Sequence, residues 1–163
     1  MTVIDELVSA NADYAKSFDK GDLPLPPARR TAIVVCMDAR IDPAKALGLQ
    51  EGDAHVIRNA GGRVVEALRS LAISQHLLGT EEVAVIHHTG CGMMTFTDDD
   101  IRKQLKEQRG AIADHVAFLP FADLEQSVRD DITIYQQSPL VRHDIPVRGF
   151  VYEVETGALR EVA

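Results

Sequence analysis

Two short apolar runs constrain this chain more than anything else in it. Residues 31 to 37, TAIVVCM, and residues 82 to 88, EVAVIHH, carry almost no polar alternation. A strand that is apolar towards both sides must be covered on both sides, as in a parallel sheet with helices on its two faces. The neighbouring segments supply the helices. Val64, Val65, Leu68, Leu71, Ala72 and Leu78 trace one face of a helix over residues 63 to 78, stopped by Gly79. Phe121, Leu124, Val128, Ile132 and Tyr135 mark another. Asp42-Pro43 opens a short helix with proline in its first turn, and Thr97 followed by three acids opens a longer one. The expected fold class is α/β, a central mostly parallel β-sheet flanked by helices.

The ends fit the same plan. Residues 2 to 19 place Ile4, Leu7, Val8, Ala15 and Phe18 at helical spacing, and GDLPLPPARR reads as an extended connector. Residues 1–30 are thus a helix and a Pro-rich connector ahead of the sheet. His55 to Arg58 is a further strand candidate, followed by the turn Asn59-Ala60-Gly61-Gly62. The tail PVRGFVYEVETGALREVA alternates and turns at Thr156-Gly157, which predicts a C-terminal β-hairpin. With 163 residues, no internal repeat and no low-complexity stretch, the expectation is one domain over 1–163.

A formal net charge of −8 argues against nucleic acid or an anionic membrane as the main partner, because phosphate surfaces demand a basic face. The N-terminal MTVIDELVSA carries acids where a secretory signal carries Lys or Arg, and no apolar stretch has the length of a membrane span. The expected location is cytoplasmic. In a reducing compartment the two cysteines, Cys36 and Cys91, are buried, metal-bound or catalytic rather than a disulfide framework.

Both cysteines sit where apolar strands end, and sites in open α/β sheets form at the carboxyl edge. The first strand closes as Cys36-Met37-Asp38-Ala39-Arg40, so a continued strand would turn a thiol, a carboxylate and a guanidinium the same way. The second is followed by His88-Thr89-Gly90-Cys91-Gly92. An H-x-x-C spacing lets both side chains turn onto one ion, and Cys36 from the neighbouring strand would make a third ligand. Zinc takes Cys sulfur at about 2.3 Å and His nitrogen at about 2.0–2.1 Å, usually tetrahedrally. Three protein ligands leave one position open, the mark of a catalytic rather than a structural zinc site.

These two motifs, with HVIRNAGG (residues 55 to 62) between them, resemble the β-class carbonic anhydrases, in particular the short members of that class. The resemblance spans nearly the whole chain. It implies one zinc ion per chain, held by Cys36, His88 and Cys91, and so selects His88 over His87, which spacing alone does not. It implies Asp38 and Arg40 as a catalytic dyad, and a homodimer or higher oligomer. It also implies a zinc lyase that hydrates carbon dioxide reversibly to bicarbonate through a zinc-bound hydroxide. Asp38 either pairs with Arg40 or swings onto the fourth position, and sequence leaves both open.

Other features carry less. Backbone N–H groups of the Asn59–Gly62 turn are candidates for close approach to substrate, and Met93, Met94 and Phe96 are candidate apolar walls. His55, His76, His87, His115 and His143 have no partner at ligand spacing and read as surface or hydrogen-bonded core residues. Three readings compete with the carbonic anhydrase assignment. The same zinc site could hydrolyse carbonyl sulfide or carbon disulfide, the zinc could be purely structural, or Cys36 and Cys91 could form a redox switch.

Overall fold

The computed structural model describes residues 2–163. Five strands form one sheet in the order β2-β1-β3-β4-β5. These are β1 (Thr31–Cys36), β2 (Ala54–Asn59), β3 (Glu82–His88), β4 (Val147–Tyr152) and β5 (Leu159–Glu161). All neighbours pair parallel except β4 with β5, which closes the chain as an antiparallel pair. The helices are α1 (Val3–Lys16), α2 (Pro43–Leu47), α3 (Val64–His76), α4 (Asp98–Arg109) and α5 (Leu124–Gln137).

The apolar runs become the two central strands, because only there does the sheet bury both of its sides. Ala32 and Val34 of β1 and Val83 and Val85 of β3 face one core, with Val64, Ala67 and Leu71 of α3 and Ile132 and Tyr135 of α5. Ile33 and Val35 of β1 and Ile86 of β3 face the opposite core with Cys36, Cys91 and Met93. That second side is closed by Leu47 of α2 and by loop residues such as Leu49, Phe96 and Phe121.

Local chemistry sets the helix starts. Asp42 accepts from the Lys45 N–H at the start of α2, with Pro43 in its first turn. Thr97 and Asp100 form a reciprocal capping box for α4, which the three consecutive acids serve. Two expectations shift. α3 buries Val64, Ala67, Leu71, Ser74 and Gln75, whereas Val65 faces out at 42% exposure. The buried stripe therefore includes small and polar residues that hydropathy overlooks. Phe121 lies ahead of the α5 cap, Asp123, and packs as a loop residue.

The N-terminal segment does form a helix, capped by Thr2 and Asp5, but none of its residues is buried. Val3, Ile4, Leu7 and Val8 are 64–71% exposed.

Candidate metal centre

Parallel pairing puts the carboxyl ends of β1, β2 and β3 side by side, with Cys36 opposite Asn59 and Val35 opposite Ile86. β3 carries His88 to the same edge, and the tight loop after it returns Cys91. One ligand atom each from Cys36, His88 and Cys91 lies within 4.8 Å of the others, and all three residues are buried. Among the described residues this is the one cluster of three or more metal-ligand side chains.

The ring of His88 is set for such a role. Its Nδ1 lies 2.9 Å from the Thr89 carbonyl, which can only accept, so Nδ1 carries a proton and the neutral ring presents its lone pair at Nε2. Nε2 is buried and has no hydrogen-bond partner. A buried lone pair without a donor is costly unless something electrophilic takes it. Two sulfurs and one imidazole nitrogen are a donor set that suits zinc.

The sulfurs are electrostatically prepared. Cys36 Sγ accepts the Gly61 N–H at 3.3 Å. A hydrogen bond from Cys91 pulls the Cys36 thiol well below its ordinary range; burial opposes this, and the N–H groups of Asp38 and Gly61 assist it. The same contact pushes Cys91 up. Both cysteines are free thiols in this structure.

Asp38 and Arg40 meet by a different route from strand alternation. β1 ends at Cys36, and residues 38 to 41 turn back, with the Ile41 N–H reaching the Asp38 carbonyl at 3.1 Å. Asp38 Oδ1 accepts from Arg40 N and Nε at 2.9 Å each, and Oδ2 accepts from Nη2 at 2.8 Å. The hydrogen bond from Arg40 holds the Asp38 carboxyl far below the usual carboxylate range. Asp38 Oδ2 stands 3.7 Å from His88 Nε2, which puts the carboxylate beside the ligand cluster.

Two features of the frame escape a reading of the sequence. Arg58 donates from Nε and Nη2 to the Cys36 carbonyl at 3.0 and 2.8 Å, and from Nη2 to the Asp38 carbonyl at 2.8 Å. It thereby fixes the backbone turn that bears both residues. Nothing in the motif HVIRNAGG says that its arginine serves carbonyls 20 and 22 positions upstream. The second feature is contact at Gly62. With φ +69° it presses on the strand ends so closely that a Cβ would lie 2.9 Å from Cys36 N and 3.0 Å from Ile86 O.

A cavity of about 160 Å³ opens at the cluster, lined by Cys36, Asp38, Ala60, Gly61, Cys91 and Met93 among others. Its scale and mostly apolar walls suit a small uncharged molecule. Met94 and Phe96 instead line a separate hollow of about 450 Å³ with Phe121. Of the other histidines, His87 is buried against Ser127 and Asp131, and His55, His76 and His143 have hydrogen-bond partners away from the cluster.

Comparison with known proteins adds an independent line. A family model described as carbonic anhydrase matches residues 31–133. The chain is 48% identical to "Beta-carbonic anhydrase 1" of Mycobacterium tuberculosis over 163 residues, covering 99% of each. It is 34% identical to "Carbon disulfide hydrolase" of Saccharolobus solfataricus, over 97% of this chain and 88% of that one. A crystal structure of carbonic anhydrase from Streptococcus mutans superposes with a TM-score of 0.95 at 48% identity, covering 100% of this chain and 99% of that one.

Proposed function

The chain belongs to the β-carbonic anhydrase family, and from that membership we propose that it is a zinc-dependent lyase catalysing the reversible hydration of carbon dioxide to bicarbonate. The observation that carries the metal part of the reading is the unpartnered, buried Nε2 of His88, gathered with the sulfurs of Cys36 and Cys91. These three residues would hold the ion. Zinc, when bound, supplies Lewis acidity that lowers the pKa of a water from about 15.7 towards about 7.

The protein's own groups do the rest. Arg40 occupies both Asp38 oxygens and keeps the carboxylate ionised, so Asp38 accepts a hydrogen bond from the attacking water and orients it. A carboxylate held this acidic is a poor base, so its task is orientation rather than proton removal. Gly61 N–H and the Arg58 clamp keep the Cys36 sulfur and the Asp38 turn in register with each other. Met93 and Ala60 give the cavity apolar walls that favour an uncharged substrate over water.

Three further readings follow. A homodimer is supported by α1, whose exposed apolar face would be covered by a second copy. A cytoplasmic location is supported by two free thiols, which a reducing compartment preserves. No helix among the described residues is long and apolar enough to cross a membrane. Hydrolysis of carbon disulfide at the same site is the second reading, favoured by relatives of that name at 34% identity. Stopped-flow hydration of carbon dioxide, on protein of measured zinc content and after chelation, tests the assignment. Turnover that follows zinc supports it. Zinc-loaded protein that turns over carbon disulfide and leaves carbon dioxide untouched would transfer it to the second reading.

A further inference from the structure

Successive residues of a strand face opposite ways, so β3 delivers its two terminal histidines to opposite sides. His88 turns to the ligand cluster. His87 turns to α5, where it is fully buried. Its Nδ1 lies 2.7 Å from Ser127 Oγ and its Nε2 lies 3.0 Å from Asp131 Oδ2.

Asp131 is a hub. It is fully buried and also accepts from Arg63 Nε, at 3.2 and 3.1 Å to its two oxygens, and from Nη2 at 3.0 Å. The Val64 N–H at 3.0 Å completes the set. Arg63 ends the glycine turn, and that turn is locked: Arg63 N donates to Asn59 Oδ1 at 2.7 Å, and Asn59 Nδ2 donates to the Arg63 carbonyl at 2.9 Å. Between those two residues lies Gly61, whose N–H reaches Cys36 Sγ. The remaining arm of Arg63 holds the Leu119 carbonyl at 2.9 Å, and Phe121 N of the same loop donates to the carbonyl of Met93, a wall of the cavity.

One carboxylate on α5 thus ties together the strand that carries His88, the turn that donates to Cys36, and the loop behind Met93. A buried ion pair is weak support for stability, since apolar residues of similar size often serve as well or better. What such a network supplies and an apolar set cannot is directional placement. We propose that Asp131 is a positioning residue for the metal centre, fixing through Arg63 and His87 where the Gly61 N–H and the His88 ring stand relative to Cys36. This rests on the zinc reading above.

The test separates placement from folding. Removing one charge strands the other, so the double variant Arg63→Leu, Asp131→Leu removes both and leaves the core uncharged. Arg63→Lys keeps the charges paired but lacks a planar fork to hold Asp131 and Leu119 at once. Each is measured for thermal midpoint, for cobalt(II) affinity with its thiolate charge-transfer band, and, without metal, for the Gly61 amide proton shift. The expected result is a cooperative thermal transition, lowered in the double variant because Val64 N–H and His87 Nε2 lose their acceptor, with a moved Gly61 resonance, a changed cobalt band and cobalt affinity about tenfold to hundredfold weaker. Folded variants with native cobalt affinity and an unmoved Gly61 resonance would overturn the proposal. Failure of both variants to fold would also overturn it, leaving the network a structural one. Wild-type protein that binds neither zinc nor cobalt(II) would instead remove the zinc reading itself.

Discussion

Arg40 reaches across 50 positions of sequence to the carbonyl of Gly90, donating from Nη2 at 2.9 Å. The same nitrogen holds Asp38 Oδ2. One guanidinium therefore joins the turn after β1 to the loop that connects His88 with Cys91, so Asp38 and two proposed ligands are held by a common fork.

Replacing Arg40 with Ala frees Asp38 and loosens that loop together. Catalytic efficiency should fall by about 10²-fold, the scale of a misplaced orienting group, with zinc content by metal analysis unchanged. Arg40→Lys should recover little, because a single ammonium cannot grip a carboxylate bidentately and a carbonyl at once. Full activity in Arg40→Ala would remove the orienting role assigned to the pair.

Substituting His88 by Ala takes away the buried lone pair and opens the donor set. Zinc stoichiometry should drop well below one per chain, and activity should drop with it. In the unaltered protein, chelation should lower the thermal midpoint and added zinc should restore it, since an ion bound only by the folded state stabilises that state. Calorimetry with and without chelator reads this directly.

Gly62→Ala sets a methyl group against the backbone of β1 and β3 at a positive φ. Strain and overpacking together should cost roughly 2–4 kcal/mol, and urea unfolding of the metal-free protein measures it. Gly48 also has positive φ but open space around it, so its alanine variant should cost less.

Acid should weaken the fold through Asp131. Burial alone would raise this carboxyl, but hydrogen bonds from His87 and Arg63 outweigh it, and the net shift is downward. A group depressed in the folded state stabilises above its unfolded value, here 3.8, and loses that contribution as pH falls through the lower folded value. Stability of the wild type should thus drop with falling pH below about 4. The double variant Arg63→Leu, Asp131→Leu should show a shallower drop over the same interval, by denaturant titration at each pH.

Ile4→Asp with Leu7→Asp should leave the sheet and its two cores intact, because α1 buries nothing within its own chain. On the homodimer reading, light scattering should then report a dimer for the unaltered protein and a monomer for the variant. An unaltered protein that is already monomeric at micromolar concentration would refute the homodimer reading.

Much of this was legible in the sequence, and the parts that were not have a common cause. The central strands announced themselves because burial on both sides leaves almost no polar alternation in them. Asp42 and Thr97 marked their helices because a cap acts within three residues. Cys36, Cys91 and one of the two adjacent histidines could be grouped from two strand ends, and the family resemblance selected His88. Local spacing could not foresee that Asp38 and Arg40 meet through a turn, since that depends on where pairing stops, at Cys36 with Asn59. Nor could it foresee Arg63 with Asp131, 68 positions apart, or His87 with Asp131, 44 apart. Those pairs exist only once α3 and α5 lie on the same face of the sheet. The helical spacing of residues 2 to 19 does mark a helix, Val3–Lys16, yet periodicity does not say what a face is for.

The first helix has a thermodynamic consequence of its own. Fourteen residues of which none is buried are near the length at which an isolated helix is barely stable in water. Its winding is therefore tied to whatever meets its apolar side, and dilution becomes a structural variable. If a second copy is that neighbour, far-ultraviolet ellipticity should fall on dilution while, in a Tyr14→Leu background, the near-ultraviolet signal of Tyr135 and Tyr152 at the cores stays constant. The coil–helix balance of one terminal segment would then report self-association without any label.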